Sequence, residues 1–275
     1  MSNHLGRREF IGSVVAGLLS RPFLASTSPP YPTEHAKVHL AFHAPLSMPN
    51  ALAASPEGLW VVDHTDVAFL VDWKDGSILR ILSTGSSNTS GATFGGGFLW
   101  LGVNGKALGR PPRKTDWDSG RILKVDPITG KTISHWPLPN GGGTHGLEWV
   151  NGRLWVTDFV RMQLSQVDPT SFQVLHSIPL TLPRAHGLAW DNGALWCIHT
   201  SDRVINKMDA RTGRILRQLI ISKNDPEPHG MTLYQGNLYY SDSGIAGHGV
   251  SNESPGAGSI CRIENTWKSP HPDST

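Results

Sequence analysis

Three histidines, His145, His186 and His229, each stand directly before a glycine and an apolar residue, in HGLEWV, HGLAWD and HGMTLY. An imidazole titrates near neutral pH and offers either a lone pair or an N–H. Three of them brought together suit two chemistries. As neutral ligands they can hold a divalent metal ion, with carboxylates behind them fixing their tautomers. Without a metal they can move protons as general acids and bases. Downstream of each stands a further candidate, Asp158, His199 and Asp242 in turn, fit to orient a ligand or to serve as base. His186 belongs to both sets, as metal ligand and as catalytic group.

The elements that must position these side chains are written as a repeat. Its copies read HGLEWVNGRLWVTD, HGLAWDNGALWCIH and HGMTLYQGNLYYSD, and two degenerate copies begin at Asn50 (NALAASPEGLWVVD) and Ser90 (SGATFGGGFLWLGV). Asn50, Ser90, His145, His186 and His229 each precede an aromatic residue by ten positions: Trp60, Trp100, Trp155, Trp196 and Tyr239. An acid closes a later strand of every copy, at Asp72, Asp126, Asp168, Asp209 and Glu264. Copies two and five carry insertions at the same point of the unit, 103–120 and 244–258.

Each copy alternates apolar and polar residues at period two, is rich in β-branched and aromatic residues, and turns at WVNGRLW or WDNGALW, which fit hairpins. Four short strands in about 40 residues are the size of a propeller blade. The last copy lacks its fourth strand, and the segment KVHLAFHAPL (37–46) is an orphan strand that can supply it. The expectation is an all-β, single five-bladed β-propeller over 36–266, its ring closed by the N-terminal strand, with a C-terminal tail over 267–275. Closure removes an open sheet edge. The repeated tryptophans are then core.

In such a ring the residue opening each innermost strand faces the axis, so Asn50, Ser90, His145, His186 and His229 form a circle. The second hairpin loop of each blade opens on the same face and brings His64, Asn104, Asp158, His199 and Asp242, and the insertions grow there as walls or lids. Asn50, Ser90, His64 and Asn104 are candidate substrate contacts, and Arg113, clustered with Arg110 and Lys114, offers an anion contact. The competing reading is that His-Gly is a packing signature of the blade. Against it, the degenerate copies place Asn and Ser there, so the blade does not require histidine.

The chain of 275 residues is 17% charged, with 30 glycines and 20 prolines, which is turn-rich yet short of the level that signals disorder. Residues 1–28 read as an export signal: Arg7-Arg8, an apolar run from Phe10 to Leu19 too short to span a bilayer, then small residues. The pair Arg7-Arg8 followed by Phe10 resembles the twin-arginine translocation motif. Export makes the expected location periplasmic or secreted. The formal charge of +2 belongs to that leader, because without Arg7, Arg8, Arg21 and Glu9 acids and bases balance. A neutral remainder carries no electrostatic footprint for nucleic acid or anionic membrane, and no membrane span is expected in it. A closed ring needs no partner, so a monomer is expected. Cys197 and Cys261 are too far apart for a metal knuckle and read as buried, inert thiols.

The units at 126–158 (DPITGKTISHWPLPNGGGTHGLEWVNGRLWVTD) and 184–216 (RAHGLAWDNGALWCIHTSDRVINKMDARTGRIL) resemble the repeats of streptogramin (virginiamycin B) lyases. The resemblance covers most of 45–265. It implies metal-dependent elimination that opens a cyclic ester, with His145, His186 and His229 at the matching His-Gly positions and Glu148 as the nearest counterpart of a catalytic glutamate. Blade number and length are more similar to glutaminyl cyclotransferases, where Glu or Gln stands before the Gly in place of these histidines. The function expected is a lyase or lactone-opening enzyme acting on a small molecule. A cyclotransferase-like acyltransferase and a non-catalytic propeller that binds a small molecule or peptide are the alternatives.

Overall fold

Turn chemistry punctuates the units where the repeat places it. In four of them the first hairpin closes on two residues of positive φ: Gly96-Gly97, Asn151-Gly152, Asn192-Gly193 and Gln235-Gly236. That left-handed pair matches the twist of the strands it joins, and Asn and Gly adopt it at low cost. The last hairpin of four units turns on an aspartate, Asp72, Asp126, Asp168 or Asp209, whose Oδ1 accepts backbone N–H groups two or three residues on.

The computed structural model describes residues 30–108, 110–138, 143–158, 160–244 and 256–267. The leader at 1–28, His248, most of the second insertion and the tail beyond Trp267 lie outside the described residues. Two strands come first, β1 (Thr33–His35) and β2 (Val38–His43). Blade one is β3 (Pro49–Ala54), β4 (Leu59–Asp63), β5 (Val67–Val71) and β6 (Ile78–Ser83). Blade two is β7 (Thr89–Gly95), β8 (Phe98–Asn104), β9 (Gly120–Val125) and β10 (Thr132–Pro137). Blade three is β11 (Leu147–Val150), β12 (Arg153–Asp158), β13 (Gln163–Val167) and β14 (Val174–Pro179). Blade four is β15 (Ala185–Asp191), β16 (Ala194–His199), β17 (Val204–Asp209) and β18 (Ile215–Ile220). Blade five has β19 (Met231–Tyr234), β20 (Asn237–Ser241) and β21 (Ser259–Ile263), and its fourth strand is β2, paired antiparallel with β21.

Every blade is an antiparallel meander. The innermost strands pack in the order β3, β7, β11, β15, β19 and back to β3. The chain is therefore an all-β five-bladed propeller, closed by its N-terminal strand as the orphan segment predicts. One strand was not foreseen. β1 adds in parallel to the outer edge of β18, pairing Thr33 with Gln218. Trp267, assigned by the repeat to the tail, packs on Trp196 at 5.0 Å between ring centroids. No described residue is helical, and no helix there is long and apolar enough to cross a membrane.

The core lies between blades. Five apolar clusters each span a pair of neighbours, from Trp60 with Leu101 between blades one and two to Phe69 with Ile260 between five and one. Trp60, Trp100, Trp155 and Trp196 are fully buried there, as the repeat requires, whereas Tyr239 is half-buried and packs on Trp73.

Candidate active site

The axis is built in layers, because successive residues of five inner strands arrive at the same heights. The first layer is Asn50, Ser90, His145, His186 and His229. All are buried except His145, which keeps part of its surface at the mouth. The next is Ala51, Gly91, Gly146, Gly187 and Gly230. A Cβ on Gly146 would stand 2.0 Å from the His186 carbonyl oxygen, and one on Gly187 would stand 2.3 Å from the Met231 nitrogen. The glycine of each His-Gly pair therefore lets neighbouring inner strands touch backbone to backbone. Below it, Leu52, Ala92, Leu147, Leu188 and Met231 crowd the axis, and the space they line with the glycine layer and His145 has no room for a water molecule.

Three imidazoles meet in the first layer. His145 Nδ1 and His186 Nε2 are 2.7 Å apart and share a proton, with ring centroids at 4.2 Å and planes nearly perpendicular. The His229 ring lies edge-on to His186 at 4.9 Å. His229 Nδ1–H donates to the Glu227 carbonyl, which leaves Nε2 as a buried lone pair without a hydrogen bond. A fourth imidazole, His64, donates from Nδ1 to the Thr89 carbonyl. Burial holds all four neutral: His64 and His229 fall to about 4, and His145 and His186 lie well below the usual histidine value. Mutual charge repulsion among these rings and the Arg184 guanidinium adds to the effect on His145, His186 and His229.

The remaining candidates divide by what they touch. Asp63 and Asp242 accept the amides of Met48 and Glu227, so each braces the loop entering its own inner strand, and Asp158 accepts the Arg161 amide. His199 stands at the corresponding place in blade four. Its Nδ1–H donates to the Pro183 carbonyl, and its Nε2 is buried without a hydrogen bond. His64, Asn104 and Thr200 reach the next blade, bonding the carbonyls of Thr89, Thr144 and Pro228 directly before its first-layer residue. Asn104 also donates to Ser90 Oγ, and Asn50 donates to Thr89 while its Oδ1 is buried without a partner. Glu148 sits three residues down β11, where it accepts the Trp190 amide, as Thr93 and Thr232 accept those of Trp149 and Ala54. It links blades beneath the plug, and burial pushes its carboxyl up to about 8. Arg113 is paired with Asp66, and Arg110 with Asp116 at 2.5 Å, so the first insertion is pinned to the face and both arginines of its basic cluster are paired.

Two residues at the mouth escaped the sequence reading, Arg184 and Glu227. Each lies two positions before a first-layer histidine, where the other blades carry Met48, Asn88 and Gly143. Glu227 Oε1 approaches His229 Nε2 at 3.7 Å, and burial raises its carboxyl. A charged residue recurring at that register was the available signal.

A metal ion would need converging lone pairs about 2.0–2.1 Å from one centre. The described arrangement does not fit: His145 and His186 aim ring nitrogens at each other, and no group of three His, Cys, Asp or Glu among the described residues has ligand geometry.

No family model matches the chain, and no curated protein does. Solved structures match the fold. A glutaminyl cyclase of Myxococcus xanthus aligns with TM-score 0.63 at 13% identity, covering 85% of this chain and 97% of that one. A streptogramin B lyase gives TM-score 0.48 at 15% identity over 83% and 97% of the two chains. A catalytically inactive virginiamycin B lyase of Staphylococcus aureus, solved with quinupristin, gives 0.47 at 17% over 80% and 67%. The first of these, the glutaminyl cyclase, supports the β-propeller fold.

Proposed function

We propose that this propeller is an exported enzyme that uses its axial imidazoles to move protons on a small molecule, opening a cyclic ester by elimination. The observation that carries the reading is the pair His145–His186, hydrogen-bonded at 2.7 Å beside the Nε2 of His229, which makes no hydrogen bond. A lone pair on such a ring removes the proton from the carbon next to a carbonyl. The electron pair forms the carbon–carbon double bond, the ester C–O bond breaks, and the carboxylate leaves as the chain end. Glu227, with a raised carboxyl near His229, can hold the proton during the step.

The test is mass spectrometry of the mature protein incubated with quinupristin, a simple lactone and an N-terminal glutaminyl peptide. Elimination opens the ring without change of mass. Addition of one water would show hydrolysis, and loss of ammonia from the peptide would show cyclotransfer. Replacing His186 by Asn should slow elimination by about 10²–10⁴-fold. A protein inert towards all three probes, or one whose activity survives that substitution or follows stoichiometric bound metal, would overturn the reading in favour of a binding propeller or a metal enzyme.

A further inference from the structure

We infer that Arg184 is the anchor for a carboxylate on the molecule that enters the axial site. The inference rests on the proposed function for its context and adds the class of ligand.

Arg184 precedes His186 by two residues and sits at a left-handed φ of 47°, a costly conformation for a long side chain, at the point where the chain turns down into β15. Its one side-chain hydrogen bond goes from Nη1 to Ser201 Oγ at 3.1 Å, and no described carboxylate lies within ion-pair reach. Three other arginines of this face are spent, Arg110 on Asp116, Arg113 on Asp66, and Arg203 on Glu227 and the carbonyls of Ser222 and Asp225, while Arg161 in the loop after β12 is exposed. Arg184 is half-buried, close enough to His145, His186 and His229 for its charge to be felt by all three. With His145 and Glu227 it is the part of the cluster that meets solvent.

A guanidinium with free donors in a fixed fork matches a planar carboxylate, two N–H groups to two oxygens. The acids Glu227 and Asp242, which also face this region, favour a single negative charge over a phosphate dianion. Binding has a chemical consequence. An anion on Arg184 cancels a positive charge that adds to the effect of burial on the imidazoles, so the ligand raises the basicity of the groups that then act on it.

The experiment records the ring signals of histidine-labelled protein, assigned through single histidine substitutions, while acetate or its neutral analogue acetamide is titrated at constant ionic strength and neutral pH. Acetate should move the His145, His186 and His229 signals along a saturating curve, acetamide should not, and exposed His39 should stay still. Arg184→Gln, with the same backbone demand and native circular dichroism, should weaken the acetate response by about tenfold or more, and Arg184→Lys by less. If acetate leaves the axial signals unmoved, or moves them equally in Arg184→Gln, the inference falls. A protein that binds acetate through Arg184 yet transforms no substrate would refute the enzyme reading alone.

Discussion

Four neutral imidazoles packed around one axis tie the stability of the chain to pH. Their native affinity for protons lies below that of the unfolded chain, near 6.5, so between about pH 6.5 and 4 the unfolded state takes up protons that the native state refuses. Stability is complete above that window and declines as pH falls through it. Glu148 works in the opposite sense: with its native value near 8, the folded chain holds a proton that the unfolded chain has lost, and stability declines as pH rises from about 4.5 to 8. His64→Asn isolates one member, since Asn104 already makes the equivalent bond to the next blade. Urea denaturation across pH 4–6.5 should show its pH slope reduced by up to roughly 1.4 kcal/mol per pH unit, with little change at neutral pH. An unaltered slope would mean that His64 titrates normally in the native protein. At this scale the sequence spoke through register. The first-layer residues were legible because five copies share one spacing, whereas the stapling role of His64 and Asn104 was not, because their acceptors are backbone carbonyls of the following blade. Arg184 and Glu227 were missed because a charge occupies their position in two copies of five and differs in sign between them.

The inner strand is the element on which the site depends. Its second residue must be small, because each inner strand leans on the next at that height, and blade one meets the need with Ala51 where the others use glycine. Gly146→Ala drives a methyl group into the His186 carbonyl and should cost about 3 kcal/mol or more. Gly152→Ala, in the open hairpin turn of the same blade, meets nothing within 4 Å and should cost about 1–2 kcal/mol for its φ of +78° alone. Thermal unfolding of the two variants checks the order, and equal costs would contradict the close approach of β11 and β15. The glycine of the His-Gly pair is thus a matter of packing, and the residue before it is free to carry chemistry. Composition alone could not separate those roles, because the carbonyl that forbids a side chain belongs to another copy of the repeat.

Across the whole molecule, closure rests on six residues near the N-terminus. β2 completes blade five and joins the apolar cluster between blades five and one through Phe42, whose ring fills the place a Cβ on Gly76 would need. β1 only borders the outside of blade four. A chain starting at residue 37 should therefore keep a cooperative transition with a modestly lower midpoint. One starting at residue 45 exposes the β21 edge and should lose cooperativity or aggregate, as calorimetry and light scattering would report. The five-bladed ring was legible because the orphan strand and the incomplete last copy are both visible in the sequence. β1 was not, because three residues of parallel edge pairing leave no pattern.

The plug below the histidines has a kinetic meaning. With no room for a water molecule between the glycine layer and the apolar layer beneath it, the imidazoles are closed off on that side. Whatever reaches the imidazoles must depart past Arg184 and His145, so spent product and fresh substrate compete for one doorway, and the slowest step of a turnover can be the emptying of the site.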